Sequence, residues 1–591
     1  MKFGAEIQDV GVHFRLWAPK MNQVSVVMNE GIPIPMISTG RGWHELVSAE
    51  AQAGTLYKFR LEQGGSEVPD PASRYQPSDV HGPSEVIDPD QYVWRDSDWR
   101  GRQWEECVIY EIHVGTFTPA GTFLGAIEHL DWLVSLGITA IEIMPVADFP
   151  GKRNWGYDGV LLFAPDSSYG RPEDFKALID AAHARGIMVF LDVVYNHFGP
   201  DGNYLASYSP VFNERHKTPW GAAVNYDAEG SDVIREFIIQ NAVYWINEFH
   251  LDGLRLDAVH AIKDDSTAHV LDEIASRVRR LSIDRPLHLL LENEENQASW
   301  LHRDTFGNPV NYTAQWNDDV HHVLHCAATG ESSGYYSAYA EDTEKLGKAL
   351  AEGFAFQGEH MDYRGSPRGE PSSHLPPTAF VSFIQNHDQV GNRAFGDRMT
   401  SFVPAARIRA IVGIYILLPQ IPMIFMGEEF GASQPFPFFC DFEPGLAKLV
   451  REGRRAEFAR FPEFEDPAKR ERIPDPTAED TFISAKLDWK CVSHGVHADW
   501  VCLYQELLEI RRREIVPRLK GAQSGCYKAL GEGAVAVCWR MGDGAKLSLT
   551  ANLTDKPLQC MINRTDQRLW RAGAENGGSL AAWDVLWSID K

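Results

Sequence analysis

From about residue 107 the chain alternates short apolar runs with stretches whose apolar residues recur at helical spacing. The runs are CVIYEIHV (107–114), AIEIMPV (140–146), IMVFLDVVY (187–195), LDGLRLDAV (251–259), LHLLLE (287–292), NYTAQWND (311–318), AFVSFIQNHD (379–388) and IPMIFMGEE (421–429). Helical candidates lie between most of them, such as RPEDFKALIDAAHARG (171–186) and SDVIREFIIQNAVYWINEF (231–249). The apolar spacing of the second fits a helix packed along one side. Eight β runs alternating with helices predict an α/β fold built on a parallel (β/α)₈ barrel. The rival is an open doubly wound sheet, which usually carries GxGxxG after its first strand; that motif is absent.

The flanks have a different texture. Before residue 95, GVHFRLWAP (11–19), VSVVM (24–28) and TLYKFRL (55–61) are short β-rich runs broken by Gly and Pro. Turn residues crowd 69–89, which reads as a connector. After the helical stretch 499–516, CYKALGEGAVAVCWRM (526–541) and AKLSLTANLT (545–554) read as strands with Gly turns. The expected division is an N-terminal β-sandwich (1–95), the barrel (96–515) with a short loop insertion after its third strand (about 197–231), and a C-terminal β-sandwich (516–591).

Composition narrows the picture by exclusion. The 591 residues exceed what one core holds, and the 44% hydrophobic content is that of an ordinary globular protein. Eighty-two acids against 56 bases give a formal charge of −26, so neither nucleic acid nor an anionic membrane is expected as a partner. The most apolar stretch, 410–426, contains Pro419 and Pro422 and predicts a broken helix followed by a buried strand, not a membrane span. Eight cysteines form no CxxC pair and read as free buried thiols in a reducing compartment. MKFGAEIQDVGV carries no apolar leader segment, so a cytoplasmic location is expected.

In a (β/α)₈ barrel, catalytic groups stand at the C-terminal ends of strands. The fourth run ends in Arg255-Leu256-Asp257, with Arg255 and Asp257 on one side of the strand. A cation two residues before an acid holds that acid ionised, as a nucleophile requires. The fifth run ends in Glu292, where desolvation would keep a carboxyl protonated as a general acid. The seventh ends in His387-Asp388, and the third in Asp192 with Asn196 and His197 after it. Each cluster also has a plain structural reading, such as a buried ion pair or a strand-end turn. Together they place Asp257, Glu292 and Asp388 at one mouth of one barrel, the two-carboxylate arrangement of glycoside hydrolysis with a third acid beside it. Trp155, Tyr157, Trp316, Phe436, Phe438 and Phe439 fall in strand-end segments where aromatic faces could stack on sugar.

DVVYNH (192–197), GLRLDAVH (253–260), LLLEN (289–293) and FIQNHDQVGNR (383–393) resemble, in order and placement, the four conserved regions of the α-amylase superfamily, glycoside hydrolase family 13. GVHFRLWAP resembles the early-set β-domain, carbohydrate-binding module family 48, of branching and debranching members. LDGLRLDAVHAI (251–262), QWNDDVHH (315–322), NHDQVGNRAFGDR (386–398) and MGEEFGASQPFPFF (426–439) resemble members that release trehalose from maltooligosyltrehalose. The resemblance implies a retaining hydrolase of the α-1,4 bond next to the terminal trehalose, working after a maltooligosyltrehalose synthase in trehalose biosynthesis.

It further implies Asp257 as nucleophile, Glu292 as proton donor and later base, and Asp388 as stabiliser of the transition state. Arg255, His260, His197 and His387 would position the sugar, and Trp316, Asn317, Asp318, Asp319 and Val320 would hold the trehalose end. Tyr157, Asp192, Leu256, Ala258, Val259, Gln389, Val390, Gly391 and Asn392 complete the implied substrate contacts. No cofactor and no metal ligand set is expected. Calcium in particular is doubtful, because the segment 197–231 is short and Asn196 has no evident partner ligands. The alternatives are a branching or debranching enzyme with the same three acids, and a non-catalytic glycan-binding protein.

Overall fold

The computed structural model describes residues 2–62, 65–459, 464–559, 566–573 and 579–591. Its centre is a closed parallel barrel: β1 (Ile109–Ile112), β2 (Ala140–Ile143), β3 (Met188–Val193), β4 (Gly253–Leu256), β5 (His288–Leu291), β6 (Ala314–Trp316), β7 (Phe380–Ser382) and β8 (Ile421–Phe425). Each strand lies inside one of the eight apolar runs. The ring closes between β1 and β8, with Ile109 opposite Met423. Every residue of the eight strands is buried, because helices cover the outer face and side chains fill the inner one.

The long apolar-periodic stretches form the outer layer, notably Pro172–His183, Ser231–Glu248, Asp318–Thr329, Ala405–Leu417 and Gly495–Ile510. Between β5 and β6 there is only a 3₁₀ turn, Ala298–Leu301. Strand packing explains Gly253 in the LDGLRLD motif: a Cβ there would lie 2.1 Å from the His288 carbonyl oxygen. The insertion after β3 contains an antiparallel hairpin, Phe212–Thr218 with Gly221–Val224. The apolar stretch near 410–426 is the helix Ala405–Leu417 and then β8, as its prolines foretold. No described helix is long and apolar enough to cross a membrane.

Before the barrel, Gly11–Trp17 pairs with Trp43–Ser48 in one sheet, and Val24–Met28 with Leu56–Leu61 in a second. Phe14, Val26, Tyr57 and Phe59 are buried between them. After the barrel, a five-stranded sheet lies against helix Ala405–Leu417, where the Trp587 indole donates to the Gly413 carbonyl at 2.8 Å. Cys107, Cys326 and Cys440 are buried free thiols as expected, but Cys502 and Cys526 are exposed. They lie on the outer side of a helix and a strand, where the pattern of burial leaves every few residues in water. Cys560 lies outside the described residues.

Two buried glutamates follow β8. Glu428 Oε1 accepts from Tyr415 and Tyr504 hydroxyls, at 2.5 and 2.7 Å. Glu429 accepts from Tyr110 and Trp132, with Arg398 close to both acids. Burial pushes both carboxyls up to about 7. A folded-state value raised above the unfolded one stabilises below the ordinary carboxyl range and loses that contribution as pH rises toward 7. Each group therefore contributes a loss of about 3 kcal/mol across pH 4.5 to 7. Urea titrations across this window should show a flatter fall in stability for Glu428→Gln than for the parent chain. Parallel curves would refute it.

Candidate active site

Register brings the acids together. Asp192 on β3 sits opposite Arg255 on β4, and Arg255 opposite Leu290 on β5. The Arg255 side chain points into the barrel and is fully buried over the Trp316 ring, at 4.0 Å from its centre. Its Nη1 donates to Asp192 Oδ2 at 2.5 Å and to Asp257 Oδ1 at 3.1 Å. Its Nη2 donates to Glu292 Oε2 at 2.8 Å. One guanidinium thus bridges three carboxylates from three strand ends, using the planar fork that only arginine offers.

The remaining donors fix each acid. Asn196 Nδ2 donates to Asp257 Oδ2 at 2.7 Å and to the Asp257 carbonyl at 2.8 Å. Asn196 is therefore committed to Asp257. Ala258 has φ of 38°, a left-handed conformation costly for a residue with a Cβ. That turn aims its N–H at Glu292 Oε2, at 2.8 Å. Across the mouth, His387 Nδ1 donates to Glu111 Oε1 at 2.5 Å. Tyr157 donates to Asp192 Oδ2 at 2.7 Å and accepts from His387 Nε2 at 2.9 Å. Burial opposes the charge of His387, but Asp388 and Glu111 outweigh it and push the imidazole up to about 9. The ring is an imidazolium at neutral pH.

Asp257 and Glu292 titrate as a pair. Burial, then repulsion by Glu292, lifts the Asp257 carboxyl well above its usual range. Burial acts the same way on Glu292, but Arg255 and His260 outweigh it and hold it below. Arg255 does not serve Asp257 alone, and Glu292 receives both an Nη2 and an N–H on one oxygen.

A cavity of about 820 Å³ opens above these groups. Of the residues expected to bind substrate, Tyr157, His197, Ala258, His260, Asp318, His387, Gln389 and Asn392 line it with the three acids. Asp192, Arg255 and Trp316 form its buried floor without lining it. Leu256, Val259, Val320 and Val390 are core side chains, and Gly391 packs under Trp155. Asn317 caps helix Asp318–Thr329, accepting from Val320 N–H. Asp319 is buried against Arg368 and Tyr339, at 2.7 and 2.6 Å. Helical geometry accounts for these placements, since consecutive residues from 317 to 320 cannot all face one cavity. Among the aromatic candidates Trp155, Tyr157 and Phe438 line the cavity, whereas Phe436 and Phe439 are core.

Several lining residues carried no sequence signal. Trp220, at the tip of the inserted hairpin, stacks on His197 with centroids 4.7 Å apart and remains half exposed. Tyr335, Tyr363 and Arg368 come from the long segment between β6 and β7. Glu111, inside β1, was concealed by its apolar neighbours.

The model for the α-amylase catalytic domain matches residues 86–218. Carbohydrate-binding module 48 (isoamylase N-terminal domain) matches 2–76, and a domain of unknown function, DUF3459, matches 522–587. A malto-oligosyltrehalose trehalohydrolase from Saccharolobus solfataricus is 44% identical over 515 residues, 87% of either chain. The chain belongs to the malto-oligosyltrehalose trehalohydrolase family. A trehalohydrolase from Deinococcus radiodurans is 42% identical over 86% of this chain and 82% of that one. A crystal structure from Salmonella typhimurium, named provisionally as an α-amylase, is 46% identical and superposes with a TM-score of 0.95 over 100% of this chain and 99% of that one. As a trehalohydrolase family member the chain is a glycosidase on a (β/α)₈ barrel with flanking β-domains.

Proposed function

We propose that this enzyme hydrolyses the α-1,4 bond joining a maltooligosaccharide to its terminal trehalose, with retention of configuration. The observation that carries the chemistry is the Arg255-bridged pair of Asp257 and Glu292 facing Asp388 across one cavity. The relatives' name carries the substrate. Asp257 attacks the anomeric carbon while Glu292 gives its proton to the departing trehalose oxygen. Asp257 and Glu292 share Arg255 and titrate as one coupled pair, and the reaction draws on the form in which Glu292 holds the proton. Glu292, again a carboxylate, then takes a proton from the water that frees the maltooligosyl group from Asp257. Asp388 supports the positive charge on the ring in between, and the His387 imidazolium donates to a sugar hydroxyl.

The substrate would come from a maltooligosyltrehalose synthase, and the buried free thiols fit a cytoplasmic enzyme. Digestion of maltooligosyltrehalose should yield free trehalose and a maltooligosaccharide, seen by chromatography. No trehalose, or new α-1,6 bonds in amylose, would instead indicate a debranching or branching enzyme.

A further inference from the structure

The C-terminal five-stranded sheet begins with the hairpin Cys526–Gly531 and Ala534–Arg540, and the first of these strands is its outer edge. Cys526 and Cys538 stand directly opposite each other in the hairpin register. Opposite residues of an antiparallel pair project from the same face of the sheet. Here their Sγ atoms lie 3.1 Å apart. Cys526 is exposed and Cys538 half-buried, so the pair opens to solvent. Among the described residues no other two cysteine sulfurs are in contact.

Alternation along the edge strand gives its two faces different work, since Cys526 and Tyr527 point to opposite sides. Tyr527 packs against helix Thr343–Glu352, where a Cβ on Gly347 would lie 2.2 Å from its ring. The Ala351 carbonyl of that helix accepts from Gly525 N–H at 2.8 Å. At the other end of the helix the Thr343 hydroxyl accepts from Gly533 N–H at 2.8 Å. The hairpin is a platform for the helix on one face and carries two thiols on the other. The helix belongs to the segment between β6 and β7 that delivers Tyr335, Tyr363 and Arg368 to the cavity.

The backbone is already suited to a bond between these sulfurs. A disulfide needs Cα atoms about 4.4–6.8 Å apart. Directly opposite residues of an antiparallel pair have Cα atoms about 4.5–5.5 Å apart. A sulfur–sulfur bond is about 2.05 Å long, so closure asks for about 1 Å of side-chain movement. Cys526 faces water and is free to make it.

We propose that Cys526 and Cys538 are a modification site, closing to a reversible cross-strand disulfide that fastens the hairpin beneath helix Thr343–Glu352. The oxidant class is a small-molecule disulfide. The exposed Cys526 thiolate attacks one of its sulfurs, forming a mixed disulfide and releasing one small thiolate. The Cys538 thiolate then attacks the Cys526 sulfur and releases the second. The protein gives up two protons and two electrons, and the reagent is reduced to two thiols. In thiol buffer the same steps run in reverse and the exposed bond reopens. Neither cysteine lines the cavity, so the bond acts on the platform and not on the reacting groups.

The test uses the full chain, first reduced and then held with excess oxidised glutathione. Remaining thiols are alkylated and the peptides mapped by mass spectrometry, with thermal unfolding as a second readout. The expected result is a peptide pair joined through Cys526 and Cys538, lost again with dithiothreitol, and a rise in Tm of a few degrees on oxidation. Cys538→Ser should stop the reaction halfway and leave one glutathione on Cys526. Cys526→Ser should give neither the joined peptides nor the Tm shift. Peptide mapping of the parent chain decides the bond by itself, whether or not the variants fold. Both cysteines alkylated after oxidation, or glutathione retained on Cys526 in the parent chain, would show that the pair does not close and would overturn the proposal. A Tm shift that persists in Cys526→Ser would place the effect at another cysteine and overturn it as well. None of these outcomes depends on trehalose release, which tests the catalytic reading separately.

Discussion

Asp257→Asn is expected to cut trehalose release by at least about 10⁴-fold, a rise in barrier of about 5.4 kcal/mol. The carboxamide keeps the shape, and its oxygen still accepts from Arg255 or Asn196, so the cavity is not remodelled. What is lost is the negative oxygen that attacks the anomeric carbon. Substrate binding, measured by calorimetry, should survive, because the other lining residues are untouched. A variant retaining a tenth of the parent rate would refute the nucleophile assignment. A variant that neither turns over nor binds would show a collapsed site and call for the Asp257→Glu control.

Arg255→Met is the second large effect, and it acts on stability and chemistry together. Removing the guanidinium leaves Asp192, Asp257 and Glu292 without their shared counter-ion in a site where Arg255 itself is fully buried. Breaking a buried pair by truncating one partner costs about 3–5 kcal/mol, because uncompensated charge stays behind. The acids answer by holding protons to higher pH. The acidic limb of the pH–rate profile should therefore move upward, as carboxyl values rise when a neighbouring cation is lost. Urea unfolding measures the first effect and kcat/KM against pH the second. An acidic limb that stays in place would mean that Arg255 is only a packing residue. Arg255→Lys should fall between, since one ammonium cannot bridge three carboxylates.

The barrel was legible because its strands are buried on both faces. Each becomes a continuous apolar run, and eight such runs separated by helical stretches leave few topologies. The candidate acids were legible for a related reason. Asp257 and Glu292 directly follow β4 and β5, and Asp388 closes the seventh apolar run, positions that sequence marks directly. The sharing of Arg255 among Asp192, Asp257 and Glu292 was not legible, because it is decided by register between β3, β4 and β5. Glu111 was hidden for the opposite reason. It lies within IYEI, and only the closed ring shows that its carboxylate faces His387. Asp318 reaches the cavity whereas Asn317, Asp319 and Val320 turn to caps and core, a split set by helix phase rather than residue type. Tyr335, Tyr363 and Arg368 come from a segment without strong periodicity, so no pattern announced them.

Gly391 packs so closely under Trp155 that a Cβ would lie 2.0 Å from the indole ring. The Trp155 ring stacks on Phe436 and meets the His387 ring edge-on. A single methyl at position 391 would push the indole upward, and the aromatic wall of the cavity would move with it. The width available to a glucose ring is thus set by an atom that is not there, three residues along the chain from Asp388.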